Sequence, residues 1–159
     1  MIGLVLSALL AQPLPASTTA TPATEGSPAS ALQIEPGDAV IRNSGSTNTS
    51  GYTIVVHPDF SADVYEQGAA RHATIIEPQA KWLFARLKEN QPLAALGGGH
   101  CMKSASFGTT TSIAYNGTTT PDLSCPGSAA TRELERTVGV IVDKLGITPA
   151  FGRLRRRML

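Results

Sequence analysis

The chain has little charge, few aromatic rings and only two cysteines. Charged residues are 16% of its 159 positions and aromatic ones 5%. Lys and Arg number 13 against 12 Asp and Glu, a net charge of +1. That balance supplies no long-range field to draw in nucleic acid or an acidic substrate. With so few charges the surface must be built from neutral polar groups, which suits an exported protein better than a cytosolic enzyme. No apolar run is long enough for a membrane helix, since residues 2–11 reach only about half the length of a span. There is no G-x-S-x-G, no phosphate-binding loop and no dinucleotide fingerprint; "GGGH" at residues 97–100 lacks the strand-to-helix context. The spacings of His57, His72, His100, Cys101 and Cys125 match no zinc pattern. Neither a cofactor nor a metal is expected.

What is present begins with the apolar stretch at residues 2–11. Pro13 and Pro15 end it and small residues follow. Residues 1–16 read as a signal peptide, although no Lys or Arg follows Met1; an apolar core helix is the alternative. An export signal implies a secreted or periplasmic chain with no membrane span after cleavage, and it permits disulfides. Residues 17–37 are rich in Thr, Ala, Pro and Ser and cannot bury enough apolar surface to offset their ordering entropy. They read as a flexible leader. Residues 38–149 have the length of one ordinary domain. Residues 150–159 follow as a basic tail, with four Arg between Arg153 and Arg157. Such a run can bind anionic lipid or nucleic acid, but a solvated tail is the commoner case.

Within the domain, "DAVIRNSG" is a short strand. Tyr52, Ile54 and Val56 alternate with Thr53, Val55 and His57, and Pro58-Asp59 turns the chain into a return strand carrying Ala62 and Val64 and ending at Gly68. Phe60 sits where glycine fits a turn more easily. Residues 69–76 read as a lead into a helix with Pro78 in its first turn and Ala80, Leu83, Phe84 and Leu87 on its apolar face. Pro92 closes that helix, and "LAALGGG" reads as a turn and a flexible run. In the second helix Ser128 is the N-cap and Leu134, Val138, Ile141 and Leu145 the apolar stripe. Gly146 suits the left-handed position after it, with Ile147 folding back on Val142. The expectation is an α+β domain: an antiparallel sheet of four to five strands with two helices packed on one face.

Both cysteines flank the passage "HCMKSASFGTTTSIAYNGTTTPDLSCPG". Phe107 to Tyr115 alternate as one long strand, and Asn116-Gly117 is a strong hairpin signal. Pro121 cuts the return strand short. In an exported chain Cys101 and Cys125 pair by default. A straight hairpin opposes that pairing. It sets Gly108 against Cys125 and leaves Cys101 roughly 23 Å away, where a bridge needs Cα atoms within about 7 Å. The bridge therefore requires a bend, at Gly108 or in "MKSAS", or a different pairing. A reactive Cys101 beside His100 is disfavoured, because neighbours on a strand point to opposite faces.

Two blocks, "IRNSGSTNTSGYTIVVHPDFSADV" and "CMKSASFGTTTSIAYNGTTTPDLSCP", resemble the hallmark blocks of a group of uncharacterised secreted bacterial proteins. The resemblance spans about Val40 to Gly146 and implies export, but no activity and no catalytic residue. The residues favour a non-enzymatic binding or envelope-associated module with a protein or envelope partner. One rival is a small protease inhibitor, with Met102 or Lys103 as the anchor of an exposed loop beside Cys101. The other is a hydrolase assembled around His57, with His72, Asp59 and Asp63 as further donors.

Overall fold

The computed structural model describes residues 32–147. The expected signal peptide, most of the leader and the basic tail lie outside the described residues. Six strands form one antiparallel sheet: β1 (Ala39–Asn43), β2 (Tyr52–Val56), β3 (Ser61–Glu66), β4 (Ala69–Thr74), β5 (Thr111–Tyr115) and β6 (Thr118–Thr119). Their order across the sheet is β4-β3-β2-β1-β5-β6. The first four strands meander. The chain then runs through α1 (Glu77–Glu89), returns on the other side of β1 as the β5–β6 hairpin, and ends in α2 (Ala129–Lys144). The α+β class and the two helices on one face stand as expected; the sheet has one strand more than the upper expectation.

Alternation builds the helix-facing side. Ile54 lies between Ile41 and Val64, and Val56 between Ala39 and Ala62. All six are buried on one side with Ile113 and Tyr115. Against them α1 places Ala80, Leu83, Phe84 and Leu87, and α2 places Leu134, Val138 and Ile141. Full burial of each Leu or Ile contributes about 2 kcal/mol from its apolar area. Phe84 and Tyr115 meet with ring centroids 5.9 Å apart, tilted by 58°, a favourable arrangement for paired rings.

The local signals explain the ends of these elements. The His57 N–H donates to the Ser61 carbonyl at 2.9 Å and the Phe60 N–H to the His57 carbonyl at 3.0 Å. That makes a three-residue hairpin turn whose last position is left-handed. Phe60 occupies it with φ 73°. Its ring packs on the edge of the core, with the Lys81 ammonium 5.9 Å from its centroid. In α2, Ser128 and Thr131 form a reciprocal capping box. At the far end Gly146 has φ 67°. The Gly146 N–H donates to the Asp143 carbonyl at 3.0 Å and the Ile147 N–H to the Val142 carbonyl at 3.1 Å. This is the expected left-handed helix end.

Three sequence expectations are corrected. Residues 69–74 do not lead into the helix; they are the edge strand β4, turned by Gln67 and Gly68 at φ 52° and 78°. Five of its six residues are exposed, so no apolar alternation marks it. On its helix side Arg71 donates instead to the Leu145 carbonyl at the end of α2. The long strand from Phe107 is the second correction: β5 starts only at Thr111. Residues 93–95, expected as a turn, form a short 3-10 helix that buries Leu93.

Candidate functional site

The shortened strand settles the cysteine geometry. Gly108 donates its N–H to the Ser104 carbonyl at 2.6 Å, and the chain turns back there. A Cβ on Gly108 would lie 2.6 Å from both the Lys103 Cβ and the Ser104 oxygen, so only glycine fits so tight a bend. The fold places the Cα atoms of Cys101 and Cys125 5.7 Å apart, with the two sulfurs bonded. The straight-hairpin distance thus gives way to a bend at Gly108, one of the two places expected for it beside the alternative of a different pairing.

The other end of the bridge is held by an irregular continuation of the hairpin. Asn116 and Gly117 turn at φ 46° and 75°, with Tyr115 opposite Thr118 as expected. Near Pro121 the ladder passes to side chains. The Ile113 N–H donates to the Thr120 hydroxyl at 3.0 Å and the Thr111 N–H to the Asp122 carboxylate at 3.1 Å. The Leu123 N–H returns to the Thr111 carbonyl at 2.8 Å. Beyond it the Gly99 N–H donates to the Cys125 carbonyl at 2.7 Å. A Cβ on Gly127 would collide with the backbone of Gly98, so the glycine run packs closely against "CPG" rather than serving as a free linker.

Residues 97–108 are therefore a surface loop held at several points. Cys101 is bonded to Cys125. The Lys103 ammonium donates to the Thr109 carbonyl at 2.6 Å, to the Thr110 hydroxyl at 3.3 Å and to the Asp122 carboxylate. Burial alone would raise the Asp122 pKa. The Lys103 ammonium and the N–H groups of Thr111 and Ser124 outweigh it and hold the carboxyl below the usual range. From the other side, the β1–β2 loop binds the same segment. The Ser46 hydroxyl donates to the Ser106 carbonyl at 2.9 Å, the Asn48 N–H to the same carbonyl at 3.1 Å, and the Thr110 N–H to the Ser44 hydroxyl at 3.0 Å. The two sequence blocks singled out above thus meet here. Of the two anchor candidates, Lys103 is tied inward, while the Met102 side chain is fully exposed and Phe107 is about half exposed.

A second cluster lies on the sheet face away from the helices. The register sets Asp63 opposite His72, and His57 follows β2. His57 Nδ1 is 2.9 Å from the buried Asp38 carboxylate, and its Nε2 is 3.3 Å from Asp63. His72 Nδ1 is 2.8 Å from the other Asp63 oxygen. Burial lowers the His57 pKa, but the hydrogen bonds and charges of Asp38 and Asp63 outweigh it, so the net direction is up. The His72 hydrogen bond, aided by His57 against the opposing cost of burial, holds the Asp63 carboxyl below its ordinary range. Three of the four residues named for a hydrolase thus come together. Asp59 does not; it accepts from the Ser61 N–H and hydroxyl in the hairpin turn. Asp38 joins the cluster without having been foreseen. Its only sequence signal is a position just ahead of β1, where it caps a turn by accepting the Glu35 N–H at 2.7 Å.

Both His57 nitrogens face carboxylates, which favours the protonated ring over the neutral one and raises its pKa. Among the described residues no hydroxyl or thiol is hydrogen-bonded to either imidazole. Among the same residues there is no group of three or more His, Cys, Asp and Glu arranged to hold a metal ion, and no helix long and apolar enough to cross a membrane. No protein-family model, curated protein or solved structure matches the chain.

Proposed function

We propose that this chain is an exported, non-enzymatic binding module, free or attached to the envelope, that works through the loop of residues 97–108. One observation carries the reading. Met102, fully exposed, stands between two fixed neighbours, Cys101 in the bridge and Lys103 at Asp122. A preorganised backbone loses little entropy on docking, which lowers the cost of presenting an exposed apolar side chain to a partner. The hydrolase reading loses support, because its general base has both nitrogens engaged and, among the described residues, no hydroxyl or thiol bonded to it. The bridge supports an oxidising compartment, and the resemblance of the two blocks to secreted bacterial proteins supports export.

The test is a comparison of baits. The oxidised domain and its Met102→Asp variant are immobilised and exposed to the extracytoplasmic proteins of the source cell. A protein retained by the first and lost with the second supports the reading. Identical retention by both removes the loop as the binding element.

A further inference from the structure

The loop has the features of a peptide segment offered to an endopeptidase. We propose that residues 97–108 bind as a substrate-like inhibitory loop, with Met102 entering the apolar specificity pocket of an extracellular serine endopeptidase. The inference rests on the binding reading above and names its partner class.

Four observations point the same way. Residues 100–104 adopt no helix or strand of their own and run along the surface. A surface backbone without secondary structure of its own is free to pair edge to edge with a protease cleft. Within that segment the one large apolar side chain, Met102, is wholly in solvent, whereas the basic side chain beside it is engaged by Thr109, Thr110 and Asp122. The loop thus offers an unbranched apolar anchor and withholds the cationic one. That selects a chymotrypsin-like or subtilisin-like pocket and excludes a trypsin-like pocket, whose buried carboxylate would stay unpaired.

The brace is placed where an inhibitor needs it. Cys101 immediately precedes the anchor and Lys103 immediately follows it, and both are tied to the 122–125 segment. Hydrolysis would begin with attack of the protease serine hydroxyl on the Met102 carbonyl carbon. The Met102–Lys103 C–N bond breaks, an ester forms, and the serine proton passes through the protease histidine to the Lys103 amine. Here that amine does not diffuse away. The Lys103 side chain and the bonds of Ser104 to Gly108 and Ser106 to the β1–β2 loop keep it beside the ester. The amine competes with water at high effective concentration, so the peptide re-forms and the complex persists.

The experiment uses the oxidised chain against chymotrypsin, subtilisin and trypsin, each assayed on a small chromogenic peptide. The expected result is competitive inhibition of chymotrypsin or subtilisin, none of trypsin, and slow cleavage confined to the Met102–Lys103 bond. Met102→Asp should weaken inhibition at least about 30-fold, the loss typical of a central anchor. Met102→Phe should retain inhibition, which separates anchor chemistry from misfolding. Three outcomes overturn the proposal: no competition by the disulfide-intact chain, equal inhibition by Met102→Asp, or rapid cleavage with ordinary turnover. The bait comparison keeps the two claims apart. A Met102-dependent partner that is not a protease overturns this inference and leaves the binding reading standing; no Met102-dependent partner overturns both.

Discussion

Replacing Cys101 and Cys125 together by serine removes the one covalent constraint in the loop without leaving a free thiol. The bridge joins residues 24 apart in sequence. Closing a loop of that size removes about 3.4 kcal/mol of entropy from the unfolded chain in the chain-entropy model. Native-state losses are smaller, because the Gly99–Cys125 backbone bond and the Lys103–Asp122 pair remain to hold the segment. The urea slope for a domain of this size is about 2 kcal/mol per molar. The midpoint of unfolding, followed by Trp82 fluorescence, should therefore fall by about 1.7 M, and the slope should rise because the released unfolded chain exposes more surface. Reduction of the wild-type chain should have the same effect. An unchanged midpoint would refute the claim that the bridge restrains the unfolded chain. Alkylation of both thiols in unreduced secreted protein would refute the bridge itself.

The remaining predictions address the other joints of the fold. His57 has a raised pKa in the folded chain, so its contribution is full below the ordinary histidine value of about 6.5 and fades as pH rises through the folded value. Wild-type urea midpoints should accordingly fall, relative to those of His57→Gln, as pH rises above about 6.5; parallel profiles would contradict the cluster. Asp63 works in the opposite direction, because its lowered pKa makes its contribution present above the ordinary carboxylate range and lost as acid titrates the folded carboxyl. Asp122→Ala strips acceptors from Thr111 and Ser124 as well as the partner of Lys103. It should cost about 1–3 kcal/mol by denaturant unfolding, and Asp122→Asn less, because an amide oxygen still accepts both N–H groups. Ser128→Ala breaks the capping box of α2 and should cost about 1 kcal/mol in the same measurement.

The parts of the fold that repeat at a fixed period are legible in the sequence. Ile54 and Val56 alternate at the period of a strand, and Leu134, Val138 and Ile141 recur at that of a helix; all five are buried. Ser128, Gly146 and Asn116-Gly117 punctuate the chain through backbone chemistry that is local, so they read correctly too. What failed to show was whatever depends on pairing at a distance. β4 is exposed at five of its six residues and held by its ladder to β3, so its residues carry no periodic mark. Asp38, His57, Asp63 and His72 come together through strand register, which no spacing encodes. The bend at Gly108 lies between these cases. A bridge between Cys101 and Cys125 demanded a bend, and the glycine marked one place for it. The bonds from Ser46 and Asn48 that hold the bent segment cross from another loop and leave no trace in the passage itself.

Binding through residues 97–108 requires that the loop be fixed before any partner arrives. Amide hydrogen exchange on the oxidised chain measures this directly. The N–H groups of Gly99 and Gly108, bonded to Cys125 and Ser104, should exchange slowly together with that of Asn48, while Met102 exchanges freely. Exchange of Gly99, Gly108 and Asn48 at the rates of an unfolded peptide would mean that the loop is unformed in solution, and the proposed preorganised binding element would be lost with it.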